Sequence, residues 1–115
     1  MIYNALNNKD YVFTLQENKQ VKTILIFKQY RENIINLDYM KIASNLKNKE
    51  QIISFALTTI LKTTRKDIKI FRVNLLSNSN KNLKLILNMV GFEKTAFLKD
   101  EIGVSIDIEE YSYYV

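Results

Sequence analysis

One hundred and fifteen residues suit a single compact domain spanning 1–115. The chain has no cysteine and no histidine, which excludes disulfides, thiol nucleophiles, Ser-His-Asp triads and the usual zinc sites. Seventeen basic residues against twelve acidic ones give a net charge of +5, a field that draws nucleic acids and phosphorylated cofactors alike.

No metal is expected, because Asp100, Glu101, Asp107, Glu109 and Glu110 lack the spacing of a calcium loop. The longest apolar run, Ile52 to Leu61, is interrupted by Ser54, Thr58 and Thr59. It falls short of the roughly 18 residues that a membrane span needs. The first residues, MIYNALNNKD, show no basic segment followed by an apolar core. The expectation is a cytoplasmic protein with no membrane attachment.

Taken in chain order, Tyr11 to Leu15 is rich in strand formers, and Glu17-Asn18-Lys19 reads as a turn. Val21 to Tyr30 predicts a second strand, Arg31-Glu32-Asn33 a second turn, and Ile34 to Ile42 a third strand. The period then changes. Ile53, Ala56, Leu57, Ile60 and Leu61 recur at helical spacing, with Asn48 as N-cap, Gln51 completing a variant capping box, and an end near Arg65. Ile68 to Leu76 reads as a strand covered on both faces. After the polar break Ser77 to Asn80, the stripe Leu83, Ile86, Leu87 and Val90 predicts a second helix stopped by Gly91. Phe97 and Leu98 suggest a strand, and Val104, Ile106 and Ile108 alternate with polar residues as a half-buried one. The order β-β-β-α-β-α-β-β predicts an α+β fold with a mixed, mostly antiparallel sheet flanked by helices.

From its second strand onward this order resembles the GNAT N-acetyltransferase fold, although another α+β sandwich would give the same string. The most specific stretch is Asn80 to Phe92, where an Asn, an apolar helical run and Gly91-Phe92 stand at the family's separation. The family commonly places a tyrosine four residues before that glycine, as proton donor to the departing thiolate. Here the position is Leu87. Tyr111, Tyr113 and Tyr114 read as edge-strand aromatics or an oligomer interface, with an aromatic acid brought in by another route as the alternative.

The family's pyrophosphate loop runs from a strand-ending Val to Arg/Gln-x-x-Gly-x-Gly/Ala at a helix start, where free backbone N–H groups and the dipole hold phosphates. Aligned without gaps, Ile42 takes the Val place, Lys47 the Arg/Gln place, and Glu50 and Ile52 the two small-residue places. The resemblance thus implies acetyl-CoA as cofactor and Ile42, Lys47, Asn48, Lys49, Glu50, Gln51, Ile52 and Asn80 as its contacts. Glu50 and Ile52 depart from the pattern: one sets negative charge where phosphates would sit, the other a branched side chain where close approach is wanted. The resemblance further implies a carbonyl-polarising amide around Lys41 to Ala43. Asp38, the only acid in Ile34 to Ile42, is the candidate base, against its reading as an exposed strand residue. The family also begins with a strand and one or two helices that build much of the acceptor site. Only Met1 to Asp10 precedes the second-strand candidate here, room for one short element, which implies a reduced acceptor pocket.

Three functions follow. The first is an acetyl-CoA-dependent N-acyltransferase acting on an unnamed small-molecule or protein amine. The second is a catalytically degenerate GNAT-like binding or dimerisation module, its homodimer formed through the C-terminal strand. The third, nucleic-acid binding through the basic centre, is the least supported, because no RNP motif, zinc finger or basic zipper is present.

Overall fold

Alternating aromatic and aliphatic residues on one side of the central strands give this chain a sheet with one apolar face. The computed structural model describes residues 2–5, 10–77, 81–103 and 106–115. Its elements are β1 (Ile2–Ala5), β2 (Asp10–Glu17), β3 (Gln20–Arg31), β4 (Ile34–Ile42), α1 (Lys49–Thr63), β5 (Ile70–Leu76), α2 (Lys81–Val90), β6 (Glu93–Gly103) and β7 (Ile106–Tyr114). The strands form one sheet in the order β1-β2-β3-β4-β5-β7-β6. Every neighbouring pair is antiparallel except β4 and β5.

The predicted α+β architecture and element order hold, with the short β1 added in front. Ile34–Ile42 has the bounds read from sequence. Asn18 and Lys19 turn β2 into β3 with φ of 51° and 64°, the positive pair that a two-residue hairpin needs.

The registers place Phe13 opposite Leu25, Phe27 opposite Leu37, and Phe71 opposite Tyr113. These residues share one sheet face and one core cluster with Ile53, Ala56, Leu57 and Ile60 of α1 and Leu87 of α2. Both helices therefore cover the same face. Among the described residues, no helix covers the other. An aromatic row crosses the core, with centroids 5.8 Å apart for Phe13–Phe27, 6.2 Å for Phe27–Phe71, 6.3 Å for Phe71–Tyr113 and 5.6 Å for Phe92–Tyr113. Such pairs add about 0.5–1.5 kcal/mol each beyond the area they bury.

Three expectations change. β5 is not covered on both faces: Phe71 and Val73 are buried while Arg72 and Ile70 on the other side are only half-buried. β7 is not an edge strand, since it pairs with β5 along one side and β6 along the other. Its hydrogen-bonding groups are engaged on both sides, which closes the proposed dimer route through the C-terminal strand. Tyr111 and Tyr113 are accordingly core aromatics rather than edge ones. Third, Asn48 precedes α1 in the left-handed region (φ 57°, ψ 43°) and makes no side-chain cap. The expected capping box does not form, and Gln51 N–H donates instead to the Asn48 carbonyl at 3.0 Å.

Candidate functional site

The parallel pair at the centre of the sheet is short. β4 and β5 align over Ile34–Ile70, Ile35–Phe71 and Asn36–Arg72. Beyond Asn36 no residue of β4 faces a partner across that seam. A bulge coincides with the parting: Ile26 pairs with Tyr39 and Phe27 with Leu37, which leaves Asp38 as the extra residue of β4. Bulges bend a strand and re-aim its side chains. Asp38 is exposed, and among the described residues it makes no ion pair.

The backbone of β4 has a defined polarity above the bulge. Ala43 N–H donates to the Lys22 carbonyl of β3 at 2.8 Å. Because strand amides alternate in direction, the N–H groups of Ile42 and Met40 point the other way, into the gap. Of the span Lys41 to Ala43 expected to hold a polarising amide, Ala43 is thus engaged and Ile42 is turned to the opening.

A cavity of about 360 Å³ fills this region, lined by Met40, Lys41, Ile42, Ser44, Lys49, Asn82, Leu83 and Ile86. A second of about 260 Å³ continues from it along Leu46, Asn48, Lys49, Glu50, Asn82, Leu85 and Ile86. The two share Lys49, Asn82 and Ile86, so they form one trough between the end of β4 and the starts of both helices. Lys49 Nζ donates to the Ser44 carbonyl at 3.0 Å, which folds the β4–α1 loop over the trough. No side chain caps α1; of its first-turn N–H groups, Gln51 donates to the Asn48 carbonyl, while those of Lys49 and Glu50 face solvent or a ligand.

The predicted cofactor residues separate around the start of α1. Ile42, Lys49 and Glu50 line the trough. Lys47, Gln51 and Ile52 instead line a different cavity of about 560 Å³ with Leu15, Glu17 and Phe55, and Asn48 borders both. Asn80 lies outside the described residues. Met40, Asn82 and Ile86 were missed in the sequence. Asn82 and Ile86 stand one turn apart on α2, so they belong with the helical stripe once α2 is known to flank the gap.

α2 is fixed by charge as well as by packing. Lys84 Nζ donates to the Ser77 carbonyl at 2.7 Å and lies 3.2 Å from Glu109 Oε1. Tyr111 OH donates to the same carboxylate at 2.8 Å. Burial pushes the Glu109 carboxyl up, but the Tyr111 hydroxyl and the Lys84 and Lys94 ammonium groups outweigh it and hold it below the usual value. Burial and the adjoining carboxylate push Tyr111 up to about 12. Leu87, where the family resemblance implies a tyrosine, has no exposure at all and belongs to the core.

The comparison with solved structures decides what this geometry is. Residues covering 91% of the chain superpose on an N-acetyltransferase from Staphylococcus aureus Mu50 with a TM-score of 0.75, at 21% identity and over 67% of that protein. The chain has the GNAT fold. A GNAT family acetyltransferase from Elizabethkingia anophelis, solved with acetyl-CoA bound, matches 93% of the chain and 77% of its own length, with a TM-score of 0.69 and 15% identity. An acetyltransferase from Bacillus subtilis, solved in complex with CoA, matches 93% of the chain and 78% of its own length, with a TM-score of 0.73 and 13% identity. No protein-family model and no curated protein sequence matches. The GNAT fold is therefore carried here by the arrangement of strands and helices, with few of the residues that mark it in sequence. Among the described residues, no group of acidic side chains is placed to hold a metal ion, and no helix is long and apolar enough to cross a membrane.

Proposed function

We propose that this chain is an N-acyltransferase of GNAT type that takes acetyl-CoA in the trough between β4 and the two helix starts. The observation that carries the reading is the lapse of β4–β5 pairing after Asn36, which turns the Ile42 and Met40 amides into a cleft on this fold. Two features suit a phosphorylated cofactor: the uncapped start of α1 and the Lys49 ammonium at the trough. One opposes it, the Glu50 carboxylate at the same end. Acetyl-CoA would supply a thioester whose acetyl group passes to an amine. The chain's own part is then to position the carbonyl with an outward amide of β4 and to accept the amine's proton, for which Asp38 at the bulge is the candidate. The acceptor is an amine of unassigned identity.

A second reading is favoured by Leu87. It is fully buried where a proton donor to the thiolate would stand, and this suits a module that binds without turnover. Calorimetric titration of acetyl-CoA, paired with an assay for released thiol over a panel of amines, separates the two. Binding with thiol release supports the enzyme, and binding without it on any amine supports the module. No heat at millimolar acetyl-CoA rejects both.

A further inference from the structure

The sheet face away from the helices has its own composition. The registers Val12–Ile26–Tyr39 and Ile24–Lys41 set these residues on it. Arg72, at 4.5 Å from the Tyr30 ring centroid, places Tyr30 there too. Tyr39 and Tyr30 are 47% and 52% exposed, so two partly exposed aromatic rings stand among half-buried aliphatic residues, Tyr30 with the Arg72 and Arg31 guanidinium groups over its ring at 4.5 and 5.3 Å. Lys22, Lys28 and Lys41 alternate with them along β3 and β4. None of the three forms an ion pair or side-chain hydrogen bond among the described residues. The acids on this face are Asp10, Glu93 and Glu110, and Glu110 is already paired with Arg72 at 3.4 Å. Asp38 stands at the margin.

We infer that this open face binds single-stranded RNA. Aromatic rings on a sheet give stacking platforms for unpaired bases, and lysines beside them take the phosphates. At roughly 3.3 Å per strand residue, Tyr30 lies about 13 Å along β3 from Ile26, the neighbour of Tyr39. That separation leaves room for two or three unstacked nucleotides. The tyrosine hydroxyls and the Thr14 hydroxyl beside Ile24 offer donors and acceptors for a 2′-hydroxyl. A second copy of the chain is the rival occupant. It would bring Lys22, Lys28 and Lys41 against their own copies, a like-charge juxtaposition that disfavours self-association.

The test uses the whole chain and fluorescence anisotropy with labelled oligo(U), an oligo(dU) strand and an RNA duplex of matched length. Oligo(U) is expected to bind most tightly, with affinity falling with salt at a log–log slope near −2, as about three phosphate contacts would give at roughly 0.7 each. Tyr39→Ala should weaken it about tenfold, and Tyr39→Phe should restore it, with circular dichroism confirming the fold of each variant. Lys28→Gln with Lys41→Gln should flatten the slope. Equal or tighter binding of the duplex or of oligo(dU) overturns the inference, as does an unchanged affinity in Tyr39→Ala. A dimer in sedimentation that Tyr39→Glu converts to monomer overturns it in favour of the second copy.

Discussion

Gly91 lies against the ring of Tyr113: a Cβ at Gly91 would stand 3.0 Å from Tyr113 Cε2. The backbone there has φ of 119°, a region that L side chains rarely adopt. Phe92 N–H donates to the Leu87 carbonyl at 2.9 Å and Gly91 N–H to that of Asn88 at 3.1 Å, the paired bonds of a Schellman ending. Gly91→Ala should therefore cost about 1–3 kcal/mol for the strained backbone alone, with the ring contact added. Urea denaturation of Gly91→Ala, Tyr113→Leu and the double variant separates the two parts. The double variant should be more stable than the sum of the singles predicts.

Glu109 gives the stability a pH dependence of known sign. Its folded carboxyl titrates below the ordinary value because Tyr111, Lys84 and Lys94 together outweigh burial. The stabilisation is complete above the unfolded pKa of about 4.5 and is lost as pH falls through the lower folded value. Thermal unfolding of Glu109→Gln should show a deficit of about 1–3 kcal/mol at neutral pH, shrinking below pH ~4. Tyr111, pushed up to about 12, predicts a second loss as pH rises from about 10 to 12. Tyr111→Phe should abolish that alkaline phase.

The division of the cofactor residues predicts opposite outcomes for neighbouring charges. Lys49 and Glu50 line the trough, whereas Lys47 lines the cavity behind it. Glu50→Gln should tighten CoA binding about two- to fivefold, Lys49→Ala should weaken it by a similar factor, and Lys47→Gln should leave it within twofold. Calorimetry at low ionic strength reads all three. A loss in Lys47→Gln equal to that in Lys49→Ala would place the phosphates on the other side of α1.

Leu87 offers a check on the missing proton donor. Introducing the family's residue as Leu87→Tyr forces a larger ring and a hydroxyl into a fully buried position. The expected result is a loss of about 1–3 kcal/mol, with no gain in thiol release.

The sequence showed most where a pattern is local. Ile34–Ile42, α1 and the glycine ending of α2 follow from alternation, from a 3.6-residue stripe and from one left-handed position. Pairing across the sheet was hidden. Asp38 becomes a bulge only through the register of β3, and nothing in its neighbours marks it. β7 looked like an edge because its aromatics read as surface, and its place between β5 and β6 depends on residues far away in the chain. Asn48 has the residue type of a cap, but a left-handed backbone accompanies no side-chain cap there. The site suffered most, since contacts of the trough come from three elements brought together by topology.

The short β4–β5 ladder has a mechanical consequence. On one side of it stand β1 to β4, built by successive hairpins; on the other, β5, β7 and β6, assembled from the last part of the chain. Three residue pairs and the core beneath them are the joint between two blocks, the first nucleated by hairpins and the second by the β6–β7 hairpin, to which β5 adds through longer-range pairs. Native-state hydrogen exchange should resolve them as separate cooperative units, with the joint opening at lower free energy than either interior. A ligand seated in the trough would bridge β4 and the starts of α1 and α2, and α2 is tied to β7 by Lys84 and Glu109, so its arrival would be felt on both sides of the joint, raising protection far from any atom it contacts.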